Sequence, residues 1–412
     1  MERICAELLI PGGGEPVRDG VVVLDSGRIS YAGPAAAAPD TPGAVTTQEA
    51  TVMPGLWDCH GHFMGSRTFD LGRLPQEPMA LRGARSARDL RAALDAGITS
   101  VREVGGLGVY LARAVAEGVL DGPVVYGAGS VLSTTGGHGD LHAYPLPWMH
   151  DFAQRESEFR LADGTDECIR AVREQLRRNA KLIKVCASGG VLSEVDHPVH
   201  QQFTSAELRT IVEVAGMAER VVAAHCHGKP GIMAALEAGV RTIEHGTYLD
   251  DECCEAMLES GAILVPTRTI IEDMLAHLDA VPGYAAAKLV AMADVHAKAM
   301  VNAIAHGVTI AMGTDIGLTG PDRPNAWGQN GAELGHLVTL GMTPLQAIEA
   351  ATATAPLTLG PQAPRSGRLE AGHDADVITL DADPLADIGV LADPAHVTGV
   401  WSAGRRVKPA AA

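Results

Sequence analysis

From residue 55 onward, short apolar runs alternate with stretches of helical periodicity, and this alternation restricts the possible folds more than any other feature. Eight of the runs are predicted as strands, which end near His60, Glu103, Tyr126, Lys184, His225, His245, Pro266 and Thr314. Helical patterns occupy residues 86–96, 166–179, 205–218, 231–238, 251–260 and 285–306. A glycine follows several of these helices, which is typical of a helix C-terminus.

The succession of strands and helices predicts an α/β fold, specifically a (β/α)8 TIM barrel. A doubly wound open sheet is the alternative. Five of the predicted strands end in residues that could bind a metal or act in catalysis. The carboxyl ends of barrel strands meet at one mouth, whereas in an open sheet they lie along an edge. We therefore favour the barrel, because it brings these residues together.

The two ends of the chain have a different pattern, with short strands and turns. Strands are predicted at residues 20–25 and 28–33, and again at 375–380 and 398–404. We expect residues 1–54 and 361–412 to pair as a small β-sandwich domain beside a barrel domain of residues 55–360. One long helix is predicted over 341–360, with Thr343 as its N-cap and Pro344 at its first position.

Composition limits the partners and the compartment. The 412 residues are 46% apolar and 20% charged, as expected of a globular protein with a large core. A net charge of −18 argues against nucleic acid or an anionic membrane surface as a partner. The sequence shows no membrane-length apolar run and no signal-peptide pattern, and its seven scattered cysteines do not suggest a disulfide framework. We expect a cytoplasmic protein.

Two pairs of histidines carry the first indication of a metal site. His60 and His62 are two residues apart at the end of an apolar run, and His225 and His227 repeat the pattern. Alternate residues of a strand face the same side, so each pair could approach one metal ion. Imidazole is a common zinc ligand. A single pair is more often structural, so the interpretation depends on further candidates.

Three further strand-end residues supply those candidates. Lys184 lies inside an apolar strand, where a charged amine is costly to bury. Its amine could reach the barrel mouth, act in catalysis, or react with CO2 to form a carbamate. His245 and Asp315 also end predicted strands. Residues that alternate with these candidates, including Cys59 and Glu244, are expected to face away from the site.

The motifs that contain these residues resemble one known family. They are MPGLWDCHGH at 53–62, IKVCASGG at 183–190, TIEHG at 242–246, GTD at 313–315 and GHDADV at 372–377. The chain is similar to the amidohydrolase superfamily, in the branch with two metal ions and a carboxylated lysine. It most resembles the prolidase-like group of metal-dependent dipeptidases and amidases, which includes ochratoxin-type amidases.

The resemblance implies a binuclear metal centre, with Zn2+ as the expected ion. His60, His62 and Asp315 would hold the more buried ion, and His225 and His245 the outer one. A carboxylated Lys184 and a hydroxide would bridge the two ions. The hydroxide would attack the substrate carbonyl, and Asp315 would take its proton and deliver it to the leaving amine.

Two more histidines are candidates for catalysis. His138 lies in a glycine-containing loop after the third predicted strand. Similar proteins use this histidine to bind the developing oxyanion or the substrate's carboxylate. His227 occupies the place of a tyrosine that does the same work in some relatives. This departure leaves open whether His227 contacts the oxyanion or supports a neighbouring residue.

The expected function is hydrolysis of an amide bond in a dipeptide or N-acyl amino acid. Hydrolysis of a cyclic amide or a lactone is the nearest alternative. A heterocycle deaminase is a more distant one, because such relatives do without the lysine at position 184. A non-catalytic scaffold would have lost metal ligands that are present here. The resemblance also implies a homo-oligomer. Substrate choice is assigned to the loops at 141–160, 192–203, 269–284 and 317–331, with Arg102 and Arg268 as possible carboxylate binders.

Overall fold

Strands from both ends of the chain lie in one sheet. The computed structural model describes residues 1–155 and 158–408, so residues 156, 157 and 409–412 of the predicted segments lie outside the described residues. The first four strands are β1 (Glu2–Leu9), β2 (Val17–Asp25), β3 (Arg28–Pro34) and β4 (Val45–Pro54). All four belong to a seven-stranded sheet that the last three strands of the chain complete.

The middle of the chain forms parallel strands. They are β5 (Leu56–Ser66), β6 (Ile98–Glu103), β7 (Val124–Gly127), β8 (Val131–Ser133), β9 (Phe159–Leu161), β10 (Ile183–Cys186), β11 (Val222–Cys226), β12 (Thr242–His245), β13 (Ile263–Val265) and β14 (Ile316–Leu318). One sheet has the order β14-β5-β6-β7 and the other the order β13-β12-β11-β10-β8-β9. Parallel strands with helical connections are the α/β architecture that the sequence predicted.

Backbone hydrogen bonds connect the edges of the two parallel sheets. Lys181 N donates to Gly127 O over 2.8 Å, which joins the start of β10 to the end of β7. Ala311 N donates to Leu264 O over 2.9 Å, next to a parallel bridge between Leu264 and Ile310. Cys59 N donates to Met312 O over 2.9 Å. Residues 309–312 thus connect β13 to β5, and the pairing runs in a circuit.

The terminal strands are β15 (Val377–Leu380), β16 (Val397–Ser402) and β17 (Arg405–Lys408). The seven-stranded sheet has the order β17-β16-β15-β4-β1-β2-β3, and β15 pairs antiparallel with β4, with Ile378 opposite Met53. Trp401 of β16 is fully buried against this sheet, and its indole N–H donates to Glu2 Oε2 over 2.6 Å. The arrangement of this sheet as a sandwich stays a prediction.

The helices agree with the sequence pattern at most positions. They are α1 (Met79–Asp95), α2 (Gly108–Ala116), α3 (Leu146–Gln154), α4 (Thr165–Arg177), α5 (Ser205–Gly216), α6 (Lys229–Ala238), α7 (Asp251–Ser260), α8 (Arg268–Ala276), α9 (Gly283–His306), α10 (Ala332–Thr339) and α11 (Pro344–Ala350). Gly239, Gly261 and Gly307 cap three of them with left-handed backbone, as predicted. Among the described residues, no helix combines the length and apolar character needed to cross a membrane.

The prediction of one long helix over 341–360 is wrong in the length of the helix. Thr343 is the N-cap and forms a capping box with Gln346, but α11 ends at Ala350 and a separate 3-10 helix covers Ala355–Gln362. The carbonyl groups of Ala350 and Ala351 accept hydrogen bonds from Met312 N and Trp57 N instead of continuing the helix. Tertiary contacts with the parallel strands therefore override the local helical pattern.

We predict that Trp401→Ala lowers the free energy of unfolding by about 3 to 5 kcal/mol, because it removes a large side chain from the sheet shared by the two chain ends. Urea denaturation followed by circular dichroism measures this. Trp148 is 62% exposed, so Trp148→Ala should change stability by no more than about 0.5 kcal/mol. Equal losses in the two variants would contradict the importance of the shared sheet.

Candidate active site

All eight residues that the sequence analysis selected line one cavity. They are His60, His62, His138, Lys184, His225, His227, His245 and Asp315. His225, His227 and His245 lie at or just beyond the carboxyl ends of β11 and β12, where loops leave side chains free to face a cavity. His60 and His62 lie within β5, Lys184 lies within β10, and Asp315 directly precedes β14. The geometry therefore brings together groups that are up to 255 residues apart in the sequence, since His60 and Asp315 meet here.

The closest contacts join His60, His62 and Asp315. Oδ1 of Asp315 lies 3.0 Å from Nε2 of His62 and 3.6 Å from Nε2 of His60. One potential ligand atom from each residue lies within 4.8 Å of the others, so the group could hold a metal ion. Asp315 has left-handed backbone with φ of 60°, and its N–H donates to His60 O over 2.6 Å. The strained backbone turns its carboxylate toward the two histidines.

A second group of histidines surrounds this trio. The ring centroids of His225 and His245 are 4.6 Å apart, and His245 is 4.9 Å from His60. His227 lies 5.0 Å from His245, and His138 stacks on His225 at 4.3 Å. Strands β11 and β12 are paired in parallel, which places these side chains at the same end of the sheet. The cavity thus contains a continuous cluster of imidazoles.

Each of the four predicted histidine ligands has one ring nitrogen committed to a protein oxygen. Nδ1 of His60 bonds Glu244 at 2.7 Å, and Nδ1 of His62 bonds Gly105 O at 2.7 Å. Nε2 of His225 bonds Gly189 O at 3.1 Å, and Nδ1 of His245 bonds Thr267 Oγ1 at 2.7 Å. Such bonds set the tautomer and orientation of a metal ligand, and they leave the opposite nitrogen able to coordinate.

Burial keeps most of these imidazoles neutral. It lowers the pKa of His60 to about 4, with a further contribution from the Lys184 charge. Burial and neighbouring histidines hold the pKa values of His225 and His245 well below the ordinary value. His62 differs, because burial lowers its pKa but the hydrogen bond and charge of Asp315, together with Gly105 O and Glu103, raise the pKa above its ordinary value. Neutral imidazole is the form that binds a metal.

Lys184 is a buried amine without a hydrogen-bond partner among the described residues. Its side chain is 3% exposed, and burial lowers its pKa. An unpaired polar group at such a position costs free energy. On Asp315, burial opposes ionisation, but the neighbouring His60 and the hydrogen bond from His62 hold the pKa of the carboxyl below its ordinary value. The donor set, with neutral imidazoles around a carboxylate and an unsatisfied amine, fits divalent metal ions.

Glu244 and Arg102 contact the candidate ligands in an arrangement that the sequence analysis did not predict. We expected Glu244 to face away from His245 and to form a structural ion pair; the ion pair is confirmed, with Arg102 as its partner, but the orientation is wrong, because Glu244 also contacts His60. Its carboxylate accepts hydrogen bonds from His60 Nδ1 and, at 2.7 and 2.8 Å, from Arg102 Nη2. His245 ends its strand with φ of 69°, which breaks the alternation, so both residues approach His60. Arg102 is fully buried and therefore orders Glu244 instead of binding a substrate carboxylate.

Cys59 also differs from the expectation that it faces away from the site. It packs in a buried cluster with Leu182 and Ala223, which share strand faces with Lys184 and His225. The pairing of β5 with β6 shifts register between Asp58 and Gly61, and this irregularity changes which side chains face inward. The side chain of Asp58 accepts from His60 N at 3.0 Å and from Asn330 Nδ2 at 2.7 Å. These bonds tie the irregular strand to the neighbouring loop.

Most of the remaining wall of the cavity is apolar, with Ser66, Thr68 and Asn325 as polar residues among it. Its side chains include Phe69, Val191, Ile270, Ile271, Met274, Leu289, Leu318 and Met292. Among the described lining residues, Lys184 and Asp315 are the only ones of the types Lys, Arg, Asp and Glu. Arg268 is not among them, because its guanidinium binds Glu272 and Ala293 O. The four segments predicted as specificity loops all contribute to this wall, although Phe159 lies in β9 and residues 270, 271 and 274 lie in α8 and not in loops. Helix α9 adds residues that the sequence analysis did not select.

Comparisons with known proteins identify the family of this chain. The model of the amidohydrolase family matches residues 51–407. An ochratoxinase from Aspergillus niger is 45% identical over 422 residues, which cover 98% of this chain and 86% of the relative. The crystal structure of the A. niger ochratoxinase matches with a TM-score of 0.91 at 43% identity and covers 99% of this chain and 95% of that one.

A prolidase complexed with N-methylphosphonate-L-proline has a TM-score of 0.90 at 32% identity, with 99% of this chain and 100% of that chain covered. A Xaa-Pro dipeptidase with methionine bound in its active site has a TM-score of 0.86 at 29% identity, with 99% of each chain covered. The family match spans most of the chain, and these relatives form the prolidase-like group. The chain belongs to the amidohydrolase family and is a hydrolase that acts on C–N bonds.

Proposed function

We propose that this protein is a metal-dependent hydrolase that cleaves an amide bond in a dipeptide or N-acyl amino acid. The observation that carries the proposal is the meeting of His60, His62 and Asp315 beside His225, His245 and the unpaired amine of Lys184. The names of the similar proteins, an ochratoxinase, a prolidase and a Xaa-Pro dipeptidase, support the same class of bond.

We further propose that residues 55–360 form a (β/α)8 barrel that carries the site, with residues 1–54 and 361–412 as the second domain. The circuit of backbone hydrogen bonds through β5, β6, β7, β10, β11, β12, β13 and residues 309–312 supports the barrel. A barrel explains why ligands from different strands reach a common cavity. In an open sheet, the same ligands would lie along an edge and would be separated from one another.

Two divalent ions, with Zn2+ as the expected species, would be held by the four histidines, by Asp315 and by a carbamate on Lys184. Bound there, they would supply a water of lowered pKa and an electrophilic contact for the substrate carbonyl. A carbamate on Lys184 would turn a buried amine that lacks a partner into an anion with two oxygen ligands. Formation of the carbamate joins the Nζ nitrogen to the carbon of CO2 and releases one proton.

Asp315 is proposed to move the proton during hydrolysis. Its carboxylate would accept the proton of the attacking water and then donate it to the nitrogen of the leaving amine. The contacts with His60 and His62 favour the ionised carboxylate before attack, which is the form that a general base requires. The 3.0 Å contact between Asp315 Oδ1 and His62 Nε2 holds the carboxylate toward the histidines.

His138 and His227 are proposed to bind substrate oxygens. Nδ1 of His138 is engaged with Ser193 Oγ at 2.8 Å, and Nδ1 of His227 with Thr247 Oγ1 at 2.8 Å. Each ring is therefore oriented through one nitrogen, and its Nε2 could contact the developing oxyanion or the substrate's carboxylate. The apolar wall would accept an uncharged side chain next to the scissile bond.

We predict that Asp315→Asn lowers kcat by roughly 10²- to 10⁴-fold, because it removes the proposed general base and acid. The protein should remain folded and retain most of its metal, as measured by circular dichroism and by elemental mass spectrometry. Asp322→Asn is the matched control, since Asp322 is exposed and contacts Arg67 at the surface. Activity near that of the wild type in Asp315→Asn would exclude the proton-transfer role.

Lys184→Ala should lose much of the bound metal and lower kcat by roughly 10²-fold or more, because the bridging ligand is absent. Metal content per chain and kcat are measured with and without a short carboxylic acid, which should restore part of both. Lys181→Ala, at a lysine whose amine bonds exposed Asn179, is the control. A fully active Lys184→Ala protein without added carboxylic acid would rule out a binuclear centre bridged at this position.

We predict that the wild-type protein, purified with Zn2+ and bicarbonate, cleaves a library of dipeptides and N-acyl amino acids. Substrates with an apolar side chain beside the amide should react faster than those with a charged one, because the cavity wall is apolar. Release of the free amine is followed by mass spectrometry. A protein with two metals per chain that leaves the whole library intact would instead indicate a cyclic amide or a lactone as the substrate.

A further inference from the structure

Lys288, on α9, binds one loop of the active site through three hydrogen bonds. Its Nζ donates to Gly190 O at 3.0 Å, to Ser193 O at 2.7 Å and to Asp196 O at 2.6 Å. An ammonium group has three N–H donors, so these contacts use all of them. The loop of residues 190–196 follows β10, the strand that carries Lys184. Lys288 thus joins a helix to the loop that follows that strand.

The same loop holds His138. Ser193 Oγ lies 2.8 Å from Nδ1 of the His138 ring. Gly190 packs so closely against the ring that a Cβ atom at this position would lie 2.1 Å from Nδ1. A movement of the loop by a few tenths of an ångström would therefore change both the packing and the hydrogen bond of the imidazole.

The backbone of His138 is also connected to the loop of residues 190–196. His138 N donates to Gln202 Oε1 at 3.1 Å, and Gln202 Nε2 donates to Asp196 Oδ2 at 3.2 Å. Asp196 Oδ2 also accepts from Gly190 N at 2.8 Å, while its Oδ1 lies 3.7 Å from Lys288 Nζ. Both the ring and the backbone of His138 are therefore held by contacts that lead to Asp196 and Lys288.

Lys288 is not arranged to bind substrate itself. It does not appear among the described residues that line the cavity, and its donors are occupied by backbone carbonyl groups. Its side chain is 16% exposed, which leaves it mostly covered by α9 and the loop. The neighbouring turns of α9 contribute Leu289 and Met292 to the apolar wall, so the helix supports the site on two sides.

We propose that Lys288 is a positioning residue that acts through Ser193 to hold the His138 ring in its catalytic orientation. This inference rests on the proposed role of His138 in binding a substrate oxygen. Without the three hydrogen bonds, the loop would sample other positions, and the imidazole would lose its fixed partner at Nδ1. The chemistry would slow, although no group that touches substrate had been replaced.

The test compares Lys288→Met with Lys298→Met, which replaces an exposed lysine of the same helix. We expect Lys288→Met to lower kcat by roughly 10- to 100-fold with a smaller change in KM, and Lys298→Met to leave both unchanged. In a His138→Asn background, adding Lys288→Met should cost less than about twofold, because the two changes disable the same contact. Independent, multiplicative losses, or a wild-type kcat in Lys288→Met, would overturn the proposal.

A second measurement does not depend on activity. Nitrogen-15 NMR of the imidazoles, with the His138 resonances assigned from the His138→Asn spectrum, should show shifted His138 signals in Lys288→Met and unchanged ones in Lys298→Met. Should Lys288→Met not fold, Ser193→Ala removes only the linking hydroxyl and is expected to give the same shift and the same loss in kcat. Unshifted His138 signals in the folded variants would refute positioning. Shifted signals in a protein that cleaves no amide would refute the proposed function instead.

Discussion

A buried ion pair beneath the cavity sets the geometry on which the site depends. Arg102 and Glu244 are both fully buried, and they meet through two hydrogen bonds of 2.7 and 2.8 Å. Charges at such depth are tolerated only when each is paired and hydrogen-bonded, so neither residue can move without leaving the other unsatisfied. Arg102 Nε also bonds Cys59 O, next to His60 in sequence. Burial raises the pKa of the Glu244 carboxyl, whereas the charge of Arg102 and the hydrogen bond with His60 lower it. The pKa therefore lies well below its ordinary value.

This pair orients His60, and similar contacts orient the other imidazoles. His60 is hydrogen-bonded to a carboxylate, His62 and His225 to backbone carbonyl groups, and His227 and His245 to threonine hydroxyl groups. The protein thus uses different partners to the same effect, which is to commit one ring nitrogen and present the other. A metal site needs this preorganisation, because freely rotating imidazoles would lose conformational entropy on binding.

The candidate catalytic groups and the apolar residues that would contact the substrate occupy different parts of the cavity. Most of the polar groups belong to the parallel strands or to residues next to them, whereas much of the apolar wall comes from the loop after β5, from α8 and α9, and from the loops near β10 and β14. The sequences of loops and surface helices can change without disturbing the candidate metal ligands. This explains why proteins named for different substrates share a similar fold. Lys288 links the two parts, because α9 contributes wall residues and also holds the loop beside His138.

Local sequence patterns determined much of the architecture. Apolar runs, glycine caps and the Thr343 N-cap depend on residues close in the chain, and most of the predicted elements are present. Their boundaries were less accurate, because β5 continues to Ser66 and the strand predicted to end near Thr314 is reduced to a bridge at Ile310, with β14 beginning only at Ile316. The motifs and the family resemblance also selected eight residues that all line the cavity, because polar side chains next to apolar runs can be recognised in the sequence.

Only the tertiary structure decided the partners of these residues. Arg102 and Glu244 are 142 residues apart, and Lys288 lies more than 90 residues from each carbonyl group that it binds. The left-handed backbone at His245 and the irregular register of β5 also reversed the expected sides of Glu244 and Cys59. A two-residue alternation describes a regular strand, so it fails where packing against distant segments makes the strand irregular.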